Sequence, residues 1–209
     1  MNIYDNILNC PEFCDTSVEK FSHPFRQGDY CAVTDGKFLI IIPNALVDGK
    51  YKLQDKPDLR SYTNQSPNCS IQFTLKDFKD AMNAIPVCDT EVCDACKGQT
   101  TVFFRFEYNG KIYTQEHCCP ICCGDGRTDS PTMIKDDRYL IKVNTKYITL
   151  EYFRKLLKLF SLSKKEEITL AIQDNYISGF IMGNISVFLS NKYVADEEEI
   201  QFVILKRNM

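Results

Sequence analysis

The chain has 209 residues, and with 44% of them hydrophobic and 25% charged it carries enough apolar side chains for a packed core. Its 28 acidic residues outnumber its 25 basic ones, for a formal net charge of −3, which excludes a protein that coats nucleic acid by charge alone. No apolar run approaches the roughly 20 residues that span a bilayer, and residues 1–10 lack a basic stretch followed by an apolar one, so neither a membrane anchor nor a secretory signal is expected and the predicted location is cytoplasmic.

Asn2 to Leu8 is predicted as a short helix and residues 21–28 as a loop. Asp29 to Ile42 has the pattern of a hairpin. Tyr30, Ala32 and Thr34 alternate along one strand, Asp35-Gly36 is a tight-turn pair, and Phe38 to Ile42 is an apolar second strand. Residues 44–68 are mostly polar, with Asp48-Gly49, Lys56-Pro57 and Ser66-Pro67, and predict loops with short extended pieces. Ser70 to Phe73 is strand-like and leads into a helix. Leu75, Phe78, Ala81, Met82 and Ile85 keep helical spacing, Thr74 and Asp77 have capping-box spacing, and Pro86 ends the run.

Thr101 to Tyr108 and Lys111 to Thr114 are strand-like runs joined by Asn109-Gly110, a turn whose two residues must both accept positive φ. Gly124 to Thr132 is expected to be a loop. Arg138 to Val143 is a predicted strand, and Thr149 is placed to cap a helix ending near Phe160, with Leu150, Phe153, Leu156, Leu157 and Phe160 as its apolar stripe. Strands then follow at 168–172, 176–182, 185–189 and 200–205, with turns at Asp174-Asn175 and Gly183-Asn184, and Glu197-Glu198-Glu199 is read as a solvated loop. Strands and helices come in blocks. The expected fold class is therefore α+β with largely antiparallel sheets, in which residues 88–126 are inserted into a domain made of 1–87 and 127–209.

Seven of the eleven cysteines fall between Cys88 and Cys123. Cys10, Cys14, Cys31 and Cys69 are scattered and read as small apolar residues. Without a secretory signal, clustered Cys-x-x-Cys pairs point to metal and not to disulfides. The pairs are Cys93-Asp-Ala-Cys96 and Cys119-Pro-Ile-Cys122, and the 22 residues between them read as a hairpin that returns its ends to each other. Each pair offers two thiolates from one short loop, and four thiolates close a tetrahedral zinc site with no position left for water, so the zinc is expected to be structural. Cys88, His117, Cys118 and Cys123 lie beside the set and are alternative ligands; a reduced, metal-free cluster is the other alternative. Both pairs continue as Cys-x-x-Cys-x-Gly. This pattern resembles the cysteine-rich zinc modules of DnaJ-type co-chaperones over residues 93–126, which implies shared zinc chemistry.

The sequence offers no acid–base constellation. Its two histidines, His23 and His117, have no spacing to a nucleophile and an orienting acid, and Gly124-Asp-Gly-Arg127 lacks the Gly-Lys-Ser/Thr ending of a phosphate loop. No enzyme is expected. Arg154, Lys155 and Lys158 lie on the polar side of one predicted helix and Lys76 and Lys79 on another, as phosphate contacts or as ordinary solvated faces.

Two stretches resemble bacterial DNA polymerase sliding clamps. One is Tyr30-Cys-Ala-Val-Thr-Asp-Gly-Lys-Phe-Leu39, similar to the clamp hairpin; the other is Val143-Asn-Thr-Lys-Tyr-Ile-Thr-Leu-Glu-Tyr-Phe-Arg-Lys-Leu-Leu157, followed by the meander ending at Gln201-Phe-Val-Ile-Leu205. The resemblance implies a clamp-like fold with two helices backed by antiparallel sheets. It makes Arg154, Lys155 and Lys158 the expected phosphate contacts, and double-stranded DNA and replication proteins the expected partners. One copy of the unit would need self-association to close a ring, and the zinc hairpin lies outside the clamp pattern. The expected function is a non-enzymatic DNA-metabolism accessory, of phage or mobile-element kind. The alternative is a zinc-stabilised protein–protein interaction module with no DNA role.

Overall fold

Asp35-Gly36 turns the chain back on itself, pairing residues 30–34 with 38–43 from Tyr30↔Pro43 to Thr34↔Leu39. The Asp35 carboxylate accepts from the amides of Lys37 at 2.8 Å and Phe38 at 2.7 Å, and Gly36 supplies a φ of +95°. The computed structural model that shows this describes residues 2–55, 57–196 and 200–207, so Lys56 and Glu197-Glu198-Glu199 lie outside the described residues.

The chain divides into a body, Met1–Ala84 with Arg138–Met209, and an inserted unit, Ile85–Asp137. The body opens with helix α1 (Ile3–Leu8) and strands β1 (Phe25–Gln27), β2 (Tyr30–Thr34), β3 (Phe38–Pro43) and β4 (Lys52–Leu53). Then come α2 (Arg60–Thr63), β5 (Ile71–Thr74) and α3 (Leu75–Ala84). The inserted unit holds β6 (Val87–Val92), β7 (Thr101–Tyr108), β8 (Lys111–Cys118) and β9 (Arg127–Lys135). The body resumes with β10 (Leu140–Val143), β11 (Lys146–Thr149), α4 (Leu150–Ser163), β12 (Glu167–Gln173), β13 (Ile177–Met182), β14 (Ile185–Ser190) and β15 (Phe202–Ile204).

The fold class is α+β. An eight-stranded sheet runs β4-β1-β2-β3-β14-β13-β12-β5 and a three-stranded one β11-β10-β15. Pairing is antiparallel except at β1–β4 and β10–β15. The apolar run of β3 follows from burial on both faces of the large sheet. Leu39 and Ile41 face a cluster with Phe25, Leu59, Ala171 and Phe188, whereas Phe38 stacks on Phe13 and on Tyr152 of α4. Helices α3 and α4 meet through Phe78 and Phe153, stacked at 4.8 Å and 7°. The expected capping box is present: Thr74 Oγ1 accepts from the Asp77 amide at 3.2 Å, and Asp77 accepts from the Thr74 amide at 2.7 Å.

Four expectations need correction. Residues 127–135 are a strand, not part of a loop, because β9 pairs with β6, from Val87↔Lys135 to Val92↔Arg127. Thr149 precedes α4 but makes no side-chain cap bond. The loop expected at 21–28 contains β1, held by β2 on one side and by β4 on the other. The inserted unit extends beyond 88–126 at both ends because its outer strands pair with each other.

Asp5 is buried in α1 and tethers the loop before β4. It accepts from the Asp48 amide at 3.1 Å, the Gly49 amide at 3.0 Å and the Tyr51 hydroxyl at 2.7 Å. Burial works to raise its pKa, but these three donors outweigh it and hold the carboxyl below its usual 3.8. A carboxyl lowered on folding stabilises the fold above its unfolded pKa, and that contribution is lost as pH falls through the folded value. Urea unfolding of Asp5→Asn should therefore show a deficit of about 2 kcal/mol at neutral pH that narrows below about pH 4. A deficit that stays constant down the acid range would show that Asp5 plays no such part.

Candidate metal centre

The inserted unit consists of two separate two-stranded sheets, β6–β9 and β7–β8. Its buried apolar side chains are Ile85 and four cysteines: Cys93, Cys96, Cys119 and Cys122. The hairpin β7–β8 keeps unbroken register from Thr101↔Cys118 to Tyr108↔Lys111. Its Asn109-Gly110 turn has the positive φ values, +50° and +71°, that the dipeptide predicts. The hairpin brings the two Cys-x-x-Cys turns together at its base.

Both turns have the same backbone course, offset by 26 residues. Positive φ recurs at Lys97 and Cys123 (+51° and +53°), at Gly98 and Gly124 (+80° and +88°), and at Thr100 and Gly126 (+67° and +73°). Each turn closes with the same bond, Gln99 amide to Cys96 carbonyl and Asp125 amide to Cys122 carbonyl, both 2.9 Å. The turns also clasp each other reciprocally: the Cys93 amide donates to the Gly126 carbonyl at 2.9 Å, and the Cys119 amide to the Thr100 carbonyl at 2.8 Å. A Cβ at Gly126 would lie 2.9 Å from the Gly98 carbonyl oxygen, so the close approach of the turns requires glycine there. Positive φ at β-branched Thr100 is costly and is held by this double clasp.

The four Sγ atoms lie within 4.8 Å of one another, with Cys93–Cys119 at 3.8 Å and Cys96–Cys122 at 3.7 Å. A tetrahedral ion with metal–sulfur arms of about 2.3 Å sets sulfurs about 3.8 Å apart, so the four thiols fit a four-coordinate metal. Backbone amides point at the sulfurs, with Gly126 N donating to Cys122 Sγ at 3.1 Å. Burial opposes ionisation of both Cys96 and Cys122. The Gly126 amide, the contact with Cys96 and the Gly124 amide nevertheless bring Cys122 down to about 7, while burial and the contact with Cys122 push Cys96 up to about 11. Four soft, buried thiols with amide support suit a structural ion of the zinc or iron type.

The neighbouring candidates stand elsewhere. Cys118 and Cys123 are exposed. Cys88 donates to the Thr90 carbonyl at 3.2 Å and lies 3.9 Å from Arg127 Nη2. His117 packs edge-on against Phe104 at 5.4 Å.

In the body, the three basic residues of α4 have unequal surroundings. Lys155 is partly buried between Asp35, with which it pairs, and Glu151 at 3.0 Å. Burial lowers the pKa of its amino group, but the two carboxylates raise it by more. Lys158 pairs with Glu12 at 2.7 Å. Arg154 is exposed. The structure thus commits Lys155 and Lys158 to carboxylates of the same chain and leaves Arg154 facing solvent. No described helix is long and apolar enough to cross a membrane.

Fold and site together define an α+β protein with an inserted four-thiol module. Among solved structures, the chain is similar to the DNA polymerase III subunit beta of Borrelia burgdorferi, solved in complex with a natural product, at 9% identity and a TM-score of 0.49, over 92% of this chain and 62% of that one. It is similar to the DNA polymerase III beta subunit of Thermotoga maritima at 8% identity and a TM-score of 0.46, over 94% of this chain and 64% of that one. For the Helicobacter pylori beta clamp bound to a DNA ligase peptide, the values are 11% and 0.42, over 93% and 65%. The chain therefore spans less than two thirds of the length of each of these three. No family model matches the chain, and no curated protein matches it.

Proposed function

We propose that the protein is a non-enzymatic accessory of DNA metabolism, in which the body is a platform and the inserted unit is a zinc-stapled arm that holds a macromolecular partner. One observation carries this reading. The arm buries its metal-type thiols and exposes its large apolar residues: Phe103, Phe104, Phe106, Tyr108, Ile112 and Tyr113 all stand open to solvent. An apolar surface on a hairpin fixed by metal is built for contact, because a hairpin of two strands has marginal stability in water by itself. Zinc suits the four thiolates, and binding it would contribute directly to folding the arm.

The DNA side of the reading is supported by the clamp resemblance of residues 30–39 and 143–157 and by the paired helices α3 and α4, with Arg154 exposed on α4. The acidic balance of the chain makes such contact weak and salt-dependent. Fluorescence anisotropy with a labelled duplex at low salt should show binding that Arg154→Glu weakens by about three- to tenfold without changing the thermal melt. If the unmodified protein leaves the duplex unbound, DNA drops out, and the chain is an interaction module carried on the body.

A further inference from the structure

The two Cys-x-x-Cys turns share a backbone course but not their flanking side chains. The 26-residue offset matches Val92 with Cys118, the residue before each pair, and Lys97 with Cys123, the residue after it. The packing is matched as well. A Cβ at Gly98 would stand 3.5 Å from Val92 Cγ1, and one at Gly124 would stand 3.8 Å from Cys118 Sγ. Cys118 therefore takes in the second turn the place that Val92 takes in the first, with its sulfur against the backbone next to Cys123.

Exposure separates these two thiols from the rest. Of the eleven cysteines, Cys118 and Cys123 are the two that stand exposed, whereas Cys93, Cys96, Cys119 and Cys122 are at most 5% exposed. Each exposed thiol adjoins a buried one along the chain, Cys118 beside Cys119 and Cys123 beside Cys122. The first turn has no such pair, because Val92 and Lys97 offer no sulfur. An ion held by four buried sulfurs can leave a folded arm only if new ligands replace the old ones one at a time, and thiolates are the ligands that zinc and softer ions accept.

We propose that Cys118 and Cys123 are exchange thiols, through which a divalent ion of the zinc type passes between solvent and the four buried cysteines while the arm stays folded. The Sγ of Cys118 or Cys123 takes up a bond to the ion as the Sγ of Cys119 or Cys122 gives one up, and the proton that leaves the first sulfur is made good on the second. One bond forms as one breaks, and no electron is transferred. This deepens the zinc half of the proposed function and rests on it, but not on the DNA half.

The test uses the full zinc-loaded chain with cadmium ion as the probe, and native mass spectra follow the replacement of one ion by the other. The double variant Cys118→Ser/Cys123→Ser should slow that replacement at least about tenfold, while competition against a chelator gives the same zinc affinity as the unmodified chain. Capping the two exposed thiols of the loaded, unmodified chain with iodoacetamide should slow it equally, which separates the sulfurs from any effect of substitution on folding. Replacement at the original rate in either the capped or the substituted protein overturns the inference. So does a loss of zinc affinity in the double variant, which would make Cys118 or Cys123 a ligand of the resting site. A chain that takes up no metal overturns the zinc reading and this inference together, whereas the other outcomes leave that reading in place.

Discussion

Chelation of the metal at neutral pH is expected to unfold residues 85–137 and to leave the cooperative melt of the body in place. The reason lies in what the arm buries. Apart from Ile85, its buried apolar side chains are the four cysteines themselves, and neither of its two-stranded sheets has an apolar layer to replace them. Binding of structural zinc to small modules supplies on the order of 10 kcal/mol, more than enough to decide folding for a unit of this size. Without the ion, four buried thiols within 4.8 Å of one another would have to keep Lys97, Thr100 and Cys123 at positive φ, and conformational entropy would win. Cys119→Ser should act in the same direction as the chelator. Two-dimensional amide spectra give the readout: resonances of 101–118 should collapse to random-coil positions while those of 150–160 hold. Dispersed hairpin signals from protein shown to be metal-free would refute the structural role.

Lys155→Met is expected to destabilise the body by about 2 to 3 kcal/mol, below the full cost of leaving one member of a buried ion pair alone because this pair is partly buried. The side chains of Lys155 and Asp35 are only 13% and 12% exposed, and the same Asp35 carboxylate also shapes the β2–β3 turn. Removal of the cation leaves that carboxylate partly desolvated, with the two turn amides but no counter-ion. Lys155→Met combined with Asp35→Asn should recover much of the loss, since a neutral side chain at 35 no longer needs a counter-ion. Urea unfolding of the two single variants and the double would measure this coupling. A single-variant loss below about 1 kcal/mol would mean that the pair behaves as a surface contact. The practical corollary concerns any search for DNA contacts on α4: a charge reversal at Lys155 tests folding, whereas one at Arg154 tests binding.

The four-cysteine cluster was legible because its geometry is local. A Cys-x-x-Cys-x-Gly turn needs no distant partner to adopt its course, and Asn109-Gly110 fixes the hairpin that unites the two turns. The antiparallel meander and the paired helices were legible from alternation and helical spacing for the same reason. Interactions that depend on distant pairing were hidden. β9 carries Ser130-Pro131 and read as a loop, yet it is a strand because β6 is available to it. The Lys155–Asp35 pair spans 120 residues, and no periodicity marks a lysine on a polar helix face as buried. The row of aromatic rings along β7–β8 could have been found by placing opposed residues across the Asn-Gly turn, which puts Phe106 against Tyr113 and Phe104 diagonally from both Tyr113 and His117.

The pairing of β6 with β9 bears on how the rest of the chain folds. The arm leaves and rejoins the body through neighbouring strands, with Val87 opposite Lys135, so its two chain ends are held side by side. Body contacts that span the insertion, such as Phe78 on Phe153 and β5 on β12, would otherwise have to close an excursion of about fifty residues. With the arm already formed, the effective loop shrinks to a handful. Three halvings of loop length lower the closure cost by about 2 kcal/mol. A metal bound by the four cysteines would act as a clip on the unfolded chain, and refolding of the body should be faster in its presence even though none of the four cysteines belongs to the body.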